Sequence, residues 1–181
     1  MNNYVFIVTG DVGEGKTTFV TELIKILKLN SIKIAGFIAP SIIENNIKKG
    51  FLITNIKTQC SKLLCMNEYV NGFFNIGKFY FNPEGINMGV ELIQPENIKE
   101  DNLVVIDEVG IFELDNLVWS ESIDNLIKKT SKNLLLIVRE GLLENVIKKW
   151  QIKNYTLINV RASNIDNIAS LITKQIKLSI L

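Results

Sequence analysis

Histidine does not occur anywhere in the 181 residues, and that absence removes a large part of enzyme chemistry. A Ser-His-Asp triad, a Cys-His dyad, phosphohistidine transfer and histidine-ligated zinc are all excluded. Proton transfer therefore falls to carboxylates, Lys, Tyr, Cys or water. Cysteine is nearly as scarce. Four residues separate Cys60 from Cys65 and no second thiol pair follows, which argues against a disulfide framework or a zinc site and for reduced thiols in the cytoplasm. Excess charge is lacking too: 20 Lys plus Arg face 19 Asp plus Glu, a formal net charge of +1. Binding bulk nucleic acid through counterion release is not expected at that balance. Arginine is confined to Arg139 and Arg161. Apolar runs such as Leu134 to Val138 fall far short of the ~20 residues that span a bilayer. Tyr4 to Val8 is a short apolar run with no basic segment before it, so no signal peptide and no membrane contact are expected.

A hydrophobic fraction of 47% and a charged fraction of 22% belong to an ordinary globular chain, and the length suits one domain, 1–181. Tyr4 to Thr9 reads as a buried strand ending at Gly10, and Lys16 to Leu29 as an amphipathic helix closed by Asn30. Lys33 to Ile43 and Gly50 to Ile56 read as a hairpin about Glu44-Asn45-Asn46. The stretch from Thr58 to Glu100 is crowded with Gly and Pro and shows only a short strand near Lys78 to Phe81. Beyond it, strands at Leu103 to Ile106, Leu134 to Val138 and Tyr155 to Val160 alternate with helices at Trp119 to Lys129, Leu142 to Trp150 and Asn164 to Leu178. That alternation predicts an α/β three-layer sandwich, with a mostly parallel central sheet, helices on both faces and a β-hairpin excursion.

Gly10-Asp11-Val12-Gly13-Glu14-Gly15-Lys16-Thr17, with Thr18 after it, fits the phosphate-loop pattern G-x-x-x-x-G-K-[ST] between a strand and a helix. A chance match in a chain of this length is on the order of 1%. Glycines let backbone N–H groups crowd a phosphate, and the helix N-terminus adds its dipole. Lys16 is expected to reach the β- and γ-phosphates, and the Thr17 hydroxyl to ligate Mg²⁺. Val104-Val105-Ile106-Asp107-Glu108 is an apolar strand ending in two acids. Alone, such an ending is common at solvated turns. Downstream of a phosphate loop, Asp107 is the expected Mg²⁺ partner and Glu108 the group that activates water. The 90-odd residues between the motifs leave room for at least one extra strand between them, as in hydrolases of the additional-strand class.

At these residues the chain resembles the small P-loop nucleoside-triphosphatase family found in thermophiles and, as the cancer-related nucleoside triphosphatase, in animals. The likeness runs through Gly36-Phe37, Gly50-Phe51 and Gly77-Lys78-Phe79-Tyr80, and is most specific at Asp107-Glu108-Val109-Gly110-Ile111-Phe112-Glu113-Leu114. It implies Mg²⁺-dependent hydrolysis of ATP, GTP and other nucleoside triphosphates with loose base choice. Family Thr, Glu and Arg positions in the hairpin read here as Ala39, Ser41 and Ile43, and a later Arg as Lys48. The family's Asn-Arg-Asp reads as Asn164-Ile165-Asp166. Lys16 and backbone N–H groups are then expected to carry most of the phosphate recognition.

Arg139 and Arg161 follow strands on the ligand-binding edge of such a sheet, where each is a candidate for the γ-phosphate charge or for a plain salt bridge. Asn164 is a helix N-cap or a residue on the base side. Glu113 is a support to the metal or a loop cap. Lys48 and Lys49 read as solvated turn charges, Trp119 and Trp150 as core. Two rival functions remain. A small P-loop kinase normally needs several arginines to clamp its phosphates, and a nucleotide-dependent adaptor would turn over only with its partner. The guanine-reading Asn-Lys-x-Asp pattern is absent.

Overall fold

Runs that are apolar on every residue, rather than on alternate ones, mark strands covered on both faces, and they form the centre of the sheet. A computed structural model describes residues 3–179. Met1 and Asn2, at the start of the segment read above for a leader, lie outside the described residues, as do Ile180 and Leu181. Strand β1 (Val5–Gly10) is buried throughout and pairs in parallel with β9 (Asn133–Arg139) and β10 (Tyr155–Asn159). Strand β8 (Leu103–Val109) pairs in parallel with β9 and with β2 (Ile34–Ile38). The order β10-β1-β9-β8-β2 is thus a parallel block.

Side chains alternate across that block. Val5, Ile7, Val104, Ile106, Leu134 and Leu136 face a layer containing α4 (Ser120–Lys129) and α5 (Leu143–Lys149). Phe6, Val8, Leu103, Val105, Leu135 and Ile137 face α1 (Lys16–Leu29) and α6 (Ile165–Leu178). Each such side chain, fully buried, contributes roughly 1.5–3 kcal/mol, so both faces are strongly specified. The three-layer α/β expectation holds.

The sheet does not stop at β2. Strand β4 (Ile47–Asn55) adds antiparallel to β2, and β5 (Ser61–Met66), β7 (Phe79–Phe81) and β6 (Phe74–Ile76) continue it. The expected hairpin is therefore part of the main sheet, and its first arm is broken. Ala39-Pro40 separates β2 from β3 (Ser41–Glu44), because Pro40 has no N–H to donate to a ladder. Asn45 and Asn46 form the turn with φ of 49° and 61°, the pair of left-handed residues that a tight hairpin requires. Lys48 and Lys49 lie on β4 rather than in a turn.

The poorly legible middle also holds α2 (Pro83–Leu92), capped by Asn82, whose side chain accepts from the Glu84 N–H at 3.1 Å. A four-residue helix, α3 (Ile111–Leu114), follows β8. The helix expected from Leu142 begins at Leu143, after a 3-10 turn over Glu140–Leu142. The extra strand between β1 and β8 is β9, which follows β8 in the chain. The strands between the two motifs lie instead on the far side of β8.

Candidate functional site

The phosphate loop leaves β1 at Gly10 and enters α1 at Lys16. Gly13 and Gly15 have φ of 86° and 80°, left-handed values that a side chain would strain. No side chain caps α1 and no acid stands in its first turn, so its leading N–H groups are positioned for an anion. Lys16 is 8% exposed. Its Nζ donates to the carbonyls of Gly10 at 2.8 Å and Asp11 at 2.7 Å, folding over the loop. Burial pulls its ammonium below the ordinary range, with Glu108 opposing that shift.

Asp107 comes from the end of β8 and is 2% exposed. Its Oδ2 accepts from the Thr17 hydroxyl at 2.9 Å and from the Ala39 N–H at 3.0 Å. Burial pushes its carboxyl up to about 6, against the Ala39 hydrogen bond. A cation beside it would relieve that cost. The donors are a hydroxyl and a carboxylate, hard oxygens that suit Mg²⁺. Among the described residues no group of three His, Cys, Asp or Glu side chains is built to hold a metal. The pair therefore fits an ion that arrives with substrate oxygens and water rather than one caged by protein.

Glu108 lies next along β8 and meets Arg139 from the end of β9. Arg139 Nε donates to Oε1 at 2.7 Å and Nη2 donates to Oε2 at 3.0 Å. That carboxylate holds the Arg139 guanidinium above its usual range. Arg139 also sits opposite Gly10 in the β1–β9 register, which fixes it at the mouth of the phosphate loop. Arg161 flanks the loop's other side, after β10. It pairs with Glu14 and with Asp11, the latter at 3.6 Å, and Glu14 Oε2 in turn accepts from the Asp11 N–H at 2.7 Å. Asn164 accepts from the N–H groups of Asp166 at 3.0 Å and Asn167 at 3.1 Å, so its oxygen is occupied in capping α6.

A cavity of about 400 Å³ gathers Gly13, Gly15, Lys16, Thr17, Asp107 and Arg139, with Val12, Thr18 and Glu108 also on its wall. Gly10, Asp11, Glu14, Arg161 and Asn164 are not among the residues lining it. Residues from the hairpin close its other side, among them Ala39, Lys48 and Phe51. Lys48 is the site residue that sequence reading set aside; its Nζ lies 4.8 Å from the Phe51 ring centre. The signal was Pro40, which ends β2 and turns the hairpin over the phosphate loop. Glu113 caps α3: its Oε2 accepts from the Gly110 N–H at 2.8 Å, and burial pushes its carboxyl up to about 7. Trp119 and Trp150 are core residues, at 2% and 6% exposed. Cys60 and Cys65 are free thiols, the first exposed and the second buried. No helix among the described residues is long and apolar enough to cross a membrane.

A family model described as NTPase matches residues 5–173. Nucleoside-triphosphatase THEP1 of Methanocaldococcus jannaschii is 30% identical over 154 residues, covering 84% of this chain and 88% of that protein. The protein of the same name from Archaeoglobus fulgidus is 26% identical over 171 residues, covering 92% and 95%. The crystal structure of THEP1 from Aquifex aeolicus superposes with a TM-score of 0.72 at 19% identity, over 93% of this chain and 98% of that one. A human cancer-related nucleoside triphosphatase gives a TM-score of 0.70 at 17% identity, over 98% of each chain. At those identities the structural likeness speaks for the fold.

Proposed function

The chain belongs to the NTPase family, and from that membership we propose that it hydrolyses nucleoside triphosphates to diphosphate and phosphate, with Mg²⁺, as a single cytoplasmic domain. The observation that carries the reading is the convergence on one cavity of Lys16 and Thr17, from the start of α1 after β1, with Asp107 and Glu108, from β8, a strand that is not β1's neighbour in the sheet. The N–H groups at the start of α1 hold the β-phosphate. Lys16 exchanges the carbonyls of Gly10 and Asp11 for phosphate oxygens, a swap its flexible stem permits.

Thr17 and Asp107 would hold the ion, whose positive charge, when bound, would offset the negative charge developing on the phosphate oxygens. Glu108 accepts a proton from water as the water oxygen bonds to the γ-phosphorus and the bond to the β–γ bridging oxygen breaks. Arg139 orients Glu108 and stands beside the γ-phosphate position. Base choice is loose, as the resemblance to the nucleoside-triphosphatase family implies, and the absence of the guanine-reading Asn-Lys-x-Asp pattern weighs against a standard GTPase switch.

The test is phosphate release from ATP, GTP, CTP and UTP, with Mg²⁺ and with excess chelator, by the chain and by Lys16→Ala. Comparable release from all four, lost with chelator and reduced at least about a hundredfold in Lys16→Ala, is expected. Release that survives either change contradicts the proposal.

A further inference from the structure

A second cavity, of about 610 Å³, adjoins the phosphate cavity at Glu108. It shares Val12, Ala39, Lys48, Phe51, Glu108 and Arg139 with the phosphate cavity and includes none of Lys16, Thr17 or Asp107. The two are therefore adjoining chambers with the Glu108–Arg139 pair in their common wall. Leu64, Phe79, Phe81, Phe112, Val118 and Trp119 make the second chamber apolar. Its rings meet edge to face, Phe81 on Phe112 at 5.3 Å and Phe79 on Phe112 at 6.4 Å between centres. An apolar cleft with a few charged groups at one end is the usual form of a small-molecule site.

Hydrolysis does not require it. Water reaches a γ-phosphate without an aromatic chamber. We propose that this chamber holds a phosphoryl acceptor, an alcohol with an apolar body of roughly aromatic size, and that the chain transfers the γ-phosphoryl group to it. The inference rests on the role given to Glu108 above. The alcohol oxygen bonds to the γ-phosphorus, the bond to the β–γ bridging oxygen breaks, and the hydroxyl proton passes to the Glu108 carboxylate. The products are a nucleoside diphosphate and a phosphate monoester, so no further reactant is needed.

Charge selects the nucleophile. Lys48, Lys78 and Arg139 line the chamber, and the Lys78 Nζ stands 5.4 Å from the Phe79 ring centre. A protonated amine is repelled by these cations, and a carboxylate is a poor nucleophile that gives an acyl phosphate rather than a stable ester. An uncharged hydroxyl is not repelled by the cations. Phosphoryl transfer to such an alcohol also needs no arginine clamp for a second phosphate, which agrees with a chain of two arginines.

The experiment incubates the chain with Mg²⁺ and γ-labelled ATP plus benzyl alcohol, 2-phenylethanol, 3-phenylpropanol, 2-phenylethylamine or ethanol, and quantifies phosphate ester and inorganic phosphate together. Ester from the aryl alcohols, saturating with their concentration and at least tenfold above that from ethanol or the amine, is expected. Ile111→Trp adds bulk at a half-exposed position on the chamber's wall. It should cut ester at least tenfold while phosphate release stays within twofold, and Phe112→Trp, at the next residue of the same helix, provides a second test. Normal phosphate release with no ester from any aryl alcohol overturns the proposal. So does ester that ethanol matches, or that both Trp variants leave unchanged. Loss of phosphate release itself from the unaltered chain would instead overturn the hydrolase reading.

Discussion

Arg139 holds Glu108 by both carboxylate oxygens, with donor–acceptor distances of 2.7 and 3.0 Å, in a pair only partly open to solvent. The fork geometry does what a single ammonium cannot, because two parallel N–H donors fix the plane of the carboxylate as well as its charge. Glu108 therefore waits in one orientation. Arg139→Lys should lower kcat about tenfold and leave KM within about twofold, since an orienting contact acts on the transition state more than on binding. Steady-state kinetics on ATP checks this. Unchanged kcat would reduce the pair to a surface salt bridge of little worth.

Thr17 and Asp107 touch at 2.9 Å, and no group of three His, Cys, Asp or Glu side chains among the described residues is built to hold an ion in their place. Thr17→Ala and Asp107→Asn should each raise the Mg²⁺ concentration for half-maximal rate by about tenfold or more. A Mg²⁺ titration at saturating ATP measures it. Curves that overlay the unaltered chain would move the ion elsewhere.

Two buried acids make stability depend on pH in an unusual direction. Asp107 is pushed up to about 6 and Glu113 to about 7, both by burial, against values near 4 in an unfolded chain. Folded protein therefore binds protons more tightly than unfolded protein. Their contribution is fully present below about pH 4 and is lost as pH rises through about 6 and 7. Glu113→Gln keeps an acceptor for the Gly110 N–H and removes one ionisation. Its urea midpoint relative to the unaltered chain should rise between pH 5 and pH 8. Parallel midpoints across that range would contradict the account.

Gly36 marks where β2 meets β8. Its φ is 99°, and a methyl group there would lie 2.0 Å from the Val105 carbonyl oxygen. Gly36→Ala should cost at least about 2 kcal/mol in chemical denaturation. It should also weaken Mg²⁺-dependent activity, because β2 leads to the Ala39 N–H that steadies Asp107. A neutral result would mean the strand shifts freely.

The parallel block was legible because β1, β8 and β9 are apolar at almost every position, a pattern that fits burial on both faces. The phosphate loop was legible because its glycines and Lys16 serve one local purpose. Strand order was not, since nothing in Asn133–Arg139 says that it inserts between β1 and β8. The Arg139–Glu108 pair depends on that insertion, so it was hidden for the same reason. Helix α2 escaped notice although Asn82-Pro83 is a helix-start signal. Its Gly85 and Gly89 lower helix propensity, yet close packing requires them: a Cβ would lie 2.5 Å from the Leu63 carbonyl oxygen at Gly85 and 2.5 Å from Trp119 at Gly89. The second chamber is built largely from residues of the short strands β5 and β7, the helix α3 and the loop after it, elements too short to announce themselves.

The central claim is that Glu108 takes the proton from the attacking nucleophile. Glu108→Gln keeps the shape and two-atom reach of the side chain and removes its basicity. Its affinity for a non-hydrolysable ATP analogue should match the unaltered chain within a few fold, while single-turnover phosphate release at saturating Mg²⁺ and ATP should fall by about 10²–10⁴. Release at the unaltered rate, with binding intact, would contradict the account.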